Sequence, residues 1–469
     1  MEITPNPNYL YFVIAYIVVI LGMGLYYYRR IASSEDFILA GRSLGKFVLM
    51  GTMFATWCGG GTVTGGYNSL AYSFGLGPAL FFGVPSLIGV LFLFLISNRI
   101  RATETLTIPE MLEMKYGPFA RALGTIIIVL SYIGIISYQY TGLGFILNVT
   151  TGIPVRTGTI IGAIIMVLLA MTGGLFSVAA TDAFSAMIIM VSLILGVPAV
   201  MRAAGGWGNI VANLPATHLK LTGSLTGIQM LGYLIPTLFL LLADQNMYIR
   251  IAAAKEDEAA RTGIVGWFVA MIIVISTIPF ISLTARSIFP NIAPGMALLA
   301  STLVMPTVIG GLLLSGAAAF LITTGDSFLL TAATNITYDF YGKYVKPDMT
   351  DDEKLRITKW LIPVIGVLAY VLVQYFPTVL AAQMYSYTVY GAGITPAVLG
   401  IILWERVNKY GGIASMIAGT FATLVWELVL HKPMKIDSAV ISVPIAILAL
   451  IIVTLATSGK EKVSASKTA

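Results

Sequence analysis

The stretch "ATWCGGGTVTGG", Ala55–Gly66, decides the fold. It places five glycines in the eight positions from Gly59 to Gly66, with Thr62 and Thr64 among them and Thr56 just before. In a helix interior each glycine costs roughly 1 kcal/mol against alanine, so a water-soluble chain would spend such a run on a loop. Here it sits inside an apolar segment, with a longer apolar tract following it.

Composition identifies the solvent. The chain of 469 residues is 58% apolar and 10% charged, with a mean hydropathy of +0.90. Soluble domains carry roughly 25% charged residues. Apolar runs recur along the whole length, each near the ~20 residues that a hydrocarbon core of ~30 Å requires. The chain reads as an all-α polytopic membrane protein. Its first run, 9–28, has no basic start and no small-residue cleavage site, so it is a retained span rather than a signal peptide. A single cysteine, Cys58, excludes internal disulfides and an all-cysteine metal site.

Thirteen spans are predicted, at 9–28, 47–73, 76–97, 119–147, 157–174, 177–201, 225–249, 262–285, 306–336, 359–375, 378–403, 411–430 and 438–457. With the N-terminus outside and the C-terminus inside, 21 of the 27 Lys and Arg residues fall on the inner side. The outer side keeps Arg156, Arg202, Lys220, Arg286, Lys432 and Lys435. This alternation obeys the positive-inside rule and accounts for the net charge of +6 without a nucleic-acid partner. Residues 1–458 form one transmembrane domain, and 459–469 read as a disordered cytoplasmic tail.

The same count leaves every Lys and Arg in a loop or at a span end, while Asp182, Asp244, Asp326 and Glu427 lie within spans. An acid at a helix centre costs about 2.5–3.5 kcal/mol on the insertion scale. With no basic partner expected in the membrane, these acids must be protonated, hydrogen-bonded, near water or neutralised by a cation from outside. Asp326 has the richest surroundings, in "FLITTGDSFLLTAAT" (Phe320–Thr334). Thr323, Asp326 and Ser327 share one helix face, and their oxygens suit a hard cation. The alternative is that such hydroxyls bond back to their own helix or glue helices together.

Backbone freed from a helix is tolerated at membrane depth where protein buries it or it lines a wet cavity, and transporters use such breaks to bind ions and solutes. The glycine run is therefore the hinge of a discontinuous helix at Cys58–Gly61. A second break falls in "LIPTLFLLLADQNMYIR", at Pro236 and the trio Asp244, Gln245 and Asn246. The two lie five spans apart, which suits a five-plus-five inverted repeat: 9–45 an extra helix and loop, 46–202 and 224–404 the repeats, and 411–457 two further helices. A phosphate-binding loop is excluded, since neither a preceding strand nor a following Gly-Lys-Ser/Thr is present.

Four segments carry a resemblance. "SSEDFILAGRSLG" (Ser33–Gly45), "GGLFSVAATD" (Gly173–Asp182), "YIRIAAAK" (Tyr248–Lys255) and "TTGDSFLLTAATNITYDFYGKY" (Thr323–Tyr344), in this order and spacing, resemble the sodium/solute symporter family. The resemblance implies the LeuT-type fold and Na⁺-driven uptake by alternating access, with Na⁺ as coupling ion, no other cofactor and no enzymatic activity. It implies a first sodium site from the Thr323 and Thr324 side chains and carbonyls of Phe320, Thr56 and Gly59. A second, found in some members, would use Asp182, Thr323, Asp326 and Ser327. The solute would meet Trp57, Gly61, Thr62, Tyr138, Gln139, Asp244 and Gln245. Trp57 matches one tryptophan of the aromatic cage in the choline branch, but Ile135 and Asp244 stand where other cage tryptophans would be. The solute class is thus an amino acid, an amine such as choline, or another small polar metabolite, and the residues set no oligomeric state. An intramembrane aspartyl protease is disfavoured because its glycine stands as Thr323 and its two acids fall on one span in the wrong order. A passive channel or a solute sensor on the same fold is a further alternative.

Overall fold

The computed structural model describes residues 4–28, 38–171 and 174–465, without side-chain detail at 28 and 459–465. The predicted motif residues 33–37 and 173, and the tail residues 466–469, lie outside the described residues. The helices run α1 (Asn8–Tyr28), α2 (Lys46–Trp57), α3 (Gly66–Phe74), α4 (Leu76–Ala102), α5 (Ile108–Tyr116), α6 (Pro118–Thr151) and α7 (Val155–Ala170). There follow α8 (Leu175–Ala203), α9 (Trp207–Ala212), α10 (Gly227–Leu242), α11 (Gln245–Ala252), α12 (Asp257–Ile288) and α13 (Ala297–Ser301). The chain continues with α14 (Thr307–Thr334), α15 (Asp351–Val373), α16 (Val379–Gly393), α17 (Thr395–Leu403), α18 (Lys409–Leu424) and α19 (Ala439–Ala465). Among the described residues ten helices are long and apolar enough to cross a membrane, and the pair α16–α17, bent by 40°, makes an eleventh. The last helix enters the segment read as a disordered tail.

Local sequence sets several boundaries. Thr226 with Gln229, and Thr350 with Glu353, form capping boxes at the starts of α10 and α15. Thr107 caps α5, where Pro109 occupies the first turn, and Asn408 caps α18. Leu91, Leu130, Val191 and Ile452 are each more than half exposed, as side chains facing lipid are. The most enclosed span is the one built on α14, with 83% of its apolar window buried against 28% for α1. α14 packs on α8, α6 and α2, which puts Phe320–Thr334 at the centre of the bundle.

Both predicted breaks are present. α2 stops at Trp57, Cys58 is extended (φ −89°, ψ 94°), and a π-helical turn over Gly61–Gly65 leads into α3. α10 stops at Leu242, and the chain bends at Ala243 before Asp244 caps α11. Pro236 does not break its helix. It lies inside α10, so the second break is made by Ala243 and Asp244 alone. Two of the motif segments are stitched together at the far end of α11: the Leu44 N–H donates to the Ala253 carbonyl at 3.1 Å, and the Lys255 N–H to the Leu44 carbonyl at 3.0 Å.

Candidate functional site

The two breaks free backbone groups at the centre of the bundle, and specific side chains take them up. At the first, the Gly60 N–H donates to Gln139 Oε1 at 2.6 Å and the Gly66 N–H to Gln383 Oε1 at 2.9 Å. At the second, Tyr390 Oη donates to the Ala243 carbonyl at 2.7 Å and accepts from the Gln245 N–H at 3.2 Å, while Tyr248 Oη reaches the Leu242 carbonyl at 2.9 Å. The glycines make the first arrangement sterically possible. A Cβ on Gly60 would lie 2.8 Å from Gln139 Oε1, and one on Gly61 2.5 Å from Gln383 Nε2.

Thr323 and Thr324 of α14 face the end of α2. Thr323 Oγ1 lies 3.0 Å from the Ala55 carbonyl, and Thr324 Oγ1 lies 3.3 and 3.1 Å from the carbonyls of Ala55 and Thr56. Two hydroxyls and two end-of-helix carbonyls thus converge, and Phe320 O lies 3.5 Å from Thr323 Oγ1. Ala55 joins the expected carbonyls of Thr56 and Phe320. Gly59 plays a different part: its carbonyl accepts from the Thr62 and Val63 N–H groups, and its missing side chain admits Thr324.

The second set of predicted ligands is only partly together. Asp182 Oδ2 accepts from Thr52 at 2.6 Å and Thr56 at 3.1 Å, and Thr56 Oγ1 lies 3.3 Å from Ser327 Oγ. Thr323 Oγ1 instead lies 2.7 Å from the Ala319 carbonyl of its own helix and 3.0 Å from the Ala55 carbonyl. Asp326 is buried, and its Oδ1 has no hydrogen-bond partner among the described residues. The expectation that no basic side chain enters the membrane interior is wrong at one position. Arg250, only 1% exposed, turns inward from α11 and pairs with Asp182 at 3.4 Å. In the sequence it falls one residue beyond the predicted span 225–249, among the loop residues. Glu427 also has a basic neighbour, Lys432, at 3.0 Å.

Beside the first break, Trp57 stacks on Tyr387 with ring centroids 6.3 Å apart, meets Trp267 edge-on at 6.4 Å and donates from Nε1 to Ser86 at 3.2 Å. Tyr138 and Thr62 are buried in the same core, and Gln139 Nε2 has no partner among the described residues. Asp244 is held by the Asn246 N–H at 2.7 Å and Tyr132 Oη at 3.2 Å, and its Oδ2 is unpartnered among the described residues. Gln245 is turned away: it exchanges hydrogen bonds with Asn335 and accepts from the Ile108 N–H at 3.2 Å. Near it in the chain's fold lies a second buried polar group, Asp339, bonded to Thr107 at 2.8 Å and Arg121 at 2.7 Å. Glu113 pairs with Arg121 at 2.6 Å and Lys343 at 2.9 Å. Partial burial pushes its carboxyl up, yet hydrogen bonds from Arg121 and Lys343 hold it below the ordinary glutamate value. Gln383, Tyr387 and Tyr390 were not foreseen, although their i, i+4, i+7 spacing puts them on one face of α16.

The Sodium:solute symporter family model matches residues 37–419. The chain is 24% identical over 432 residues to the sodium/pantothenate symporter of Escherichia coli (strain K12), covering 87% of this chain and 88% of that protein. It is 26% identical over 431 residues to the high-affinity proline transporter PutP of Bacillus subtilis (strain 168), covering 86% and 89%. A substrate-bound, outward-open Na⁺-coupled sialic acid symporter shares the fold with a TM-score of 0.80 at 16% identity, covering 96% of this chain and 97% of that one. A nucleobase-cation-symport-1 family transporter follows with a TM-score of 0.61 at 13% identity, covering 91% and 95%. The fold is of the LeuT type, and the protein is a Na⁺-coupled transporter rather than an enzyme. This multi-pass protein of the cell membrane belongs to the sodium:solute symporter family.

Proposed function

We propose that the protein carries a small carboxylate-bearing solute into the cell together with Na⁺, by alternating access around the two breaks. One observation carries the choice of solute: the Gly60 and Gly66 N–H groups point into the core and are met there by two neutral amide oxygens, of Gln139 and Gln383. A carboxylate is the stronger acceptor for freed helix-end N–H groups and would take the place of those amides. Trp57, Tyr138, Tyr387 and Trp267 would wall its apolar part, with Gly61 and Thr62 beside it. Proline and pantothenate, named for two relatives, both carry a carboxylate. Asp244, with one free oxygen, is the group to meet an ammonium if the solute is an amino acid.

Na⁺ would bind where Thr323 and Thr324 face Ala55, Thr56 and Phe320, so that filling the ion site fixes the first break for the solute. Counting the broken α2–α3 and the 16-residue α7 as spans, beside the eleven, gives thirteen. The distribution of Lys and Arg supports an outside N-terminus and an inside C-terminus. Repeats at 46–202 and 224–404 then each open on a broken helix. A vestibule of about 400 Å³ lined by Gln229, Tyr233, Met384, Lys432 and Asp437 would be the outer entrance, the polar groups around Asp339 the inner closure.

The test is the melting temperature of the purified protein with a panel of amino acids, hydroxy and keto acids, amines including choline, and sugars, each in NaCl and in KCl. A ligand of the folded state raises it by mass action. Stabilisation by one carboxylate in Na⁺ only, lost on methyl esterification, is expected. Stabilisation by choline or a sugar would refute the solute class.

A further inference from the structure

The seam between α4 and α12 changes character along its length. At one end an ion pair ties the helices together, Arg101 Nε donating to Asp257 Oδ1 at 2.6 Å. Further along, they part around a groove of about 150 Å³, lined by Val90, Leu91 and Phe94 on α4 and by Ile264, Val265 and Phe268 on α12. Only carbon faces this groove. Leu91 is 55% exposed and Val265 51%, so it opens on the side where spans meet hydrocarbon. Apolar space of this size stays dry and takes up apolar groups.

Arg261 stands between the ion pair and the groove. On α12 it lies one turn past Asp257 and one turn before Ile264 and Val265, and Phe268 follows on the same face. Its guanidinium lies over the Phe94 ring, 5.4 Å from the centroid. Arg261 is exposed, and among the described residues it has neither a hydrogen bond nor an ion pair. The two acids that could reach it by helical spacing are engaged elsewhere, Asp257 by Arg101 and Glu258 by Lys46. An uncompensated positive charge is thus held at the head of an apolar groove.

We propose that this groove binds an anionic phospholipid, with an acyl chain between Leu91 and Val265 and the phosphate on Arg261. An uncharged lipid would fill the groove but leave Arg261 without an anion, and free phosphate would meet Arg261 but leave the groove empty. A phospholipid with net negative charge satisfies both. On the inside placement that the distribution of Lys and Arg supports, it belongs to the cytoplasmic leaflet, whose surface is anionic. One basic side chain at such a surface is worth about a fivefold preference. Across α12, Gly263 and Gly266 admit Leu49 and Met50 of α2, so the lipid would rest against the helix that backs the first break.

Mass spectrometry of the intact full-length protein in detergent decides it, by counting lipids retained from equal amounts of a phosphatidylglycerol and a phosphatidylcholine with the same chains. The first lipid on wild type should be phosphatidylglycerol, by about fivefold. Arg261→Gln should retain the two equally, while Arg156→Gln, on the opposite side of the membrane, should keep the preference. Val265→Trp, which fills the groove, should lower retention of both lipids. Equal retention by wild type, a preference that survives Arg261→Gln or is lost in Arg156→Gln, or unchanged retention in Val265→Trp overturns the proposal. So does displacement of the phosphatidylglycerol by an equal concentration of inorganic phosphate or of a fatty acid, since either would assign the site to a smaller ligand.

Discussion

Gly59→Ala tests whether the close approach of α14 to the first break sets the ion site. A Cβ there would lie 2.5 Å from Thr324 Oγ1 and 2.7 Å from its Cβ and Cγ2. Ordinary contact needs about 3.5–4 Å, so Thr324 or α2 must retreat by roughly 1 Å. Overpacking of this kind destabilises by about 1–3 kcal/mol. The retreat also removes one hydroxyl from the ion. If that ligand is worth as much as a hydrogen bond to a charged group, ~1.5–3 kcal/mol, Na⁺ affinity falls by roughly 10–150-fold. Na⁺ titrations of melting temperature in a K⁺ background read both quantities. The ion-free baseline should drop, and the Na⁺ midpoint should move to higher concentration. Adding Thr324→Ala removes two of the three clashing atoms, so the double variant should cost less stability than the sum of the singles while Na⁺ binding stays lost. A Gly59→Ala protein with a lower baseline but an unchanged Na⁺ midpoint would refute the reasoning, because Thr324 would then be packing rather than a ligand.

Further outcomes are expected elsewhere. Gln383→Leu leaves the Gly66 N–H without the amide that a solute carboxylate has to displace, so solute affinity should rise at saturating Na⁺ while the Na⁺ midpoint holds, and a change in the Na⁺ midpoint alone would place Gln383 at the ion instead. Asp244→Asn keeps the cap on Asn246 but removes the charge, so an amino acid should lose affinity while a carboxylate without an amine does not. Burial pushes the Asp437 carboxyl up to about 6, against Lys432, which lowers it. With an unfolded value near ~3.9, the folded protein holds the extra proton between the two values, so Asp437 makes melting temperature fall as pH rises from about 4 to 6. Asp437→Asn, which can still accept from Thr388 and the Ala439 N–H, should flatten that part of the profile; an unaltered slope would assign it to another group.

Much of the fold was legible because membrane insertion and helix breaking leave strong marks. The glycine run could not continue a helix, and Asp244 after nine apolar-biased residues could not be left unmet in one. The pair Thr323 and Thr324 came from the resemblance of its segment to the symporter family, while the residues alone offered the face of Thr323, Asp326 and Ser327 to a hard cation. Arg250 was hidden by its position. It lies one residue past the predicted span, and only the break at Ala243 starts a new helix whose inward face carries both Asn246 and Arg250, one turn apart. The same break turns Gln245 toward Asn335, which no count of residues from Asp244 foretells. Gln383 and the tyrosines of α16 were passed over because tyrosine reads as apolar in a span. Their value lies in the Oη and amide groups that meet backbone from distant breaks. Pro236 shows the opposite error: proline near a break suggested its cause, yet the helix runs through it.

The most direct test of Na⁺-coupled uptake is flux into proteoliposomes of the carboxylate that raises the melting temperature in Na⁺. With an inward Na⁺ gradient and an inside-negative potential, the solute should rise above its outside concentration, and collapsing the gradient with a Na⁺ ionophore should release the excess. Equal uptake in Na⁺ and K⁺, levelling at the outside concentration in both, would contradict coupling and leave a passive pathway in its place.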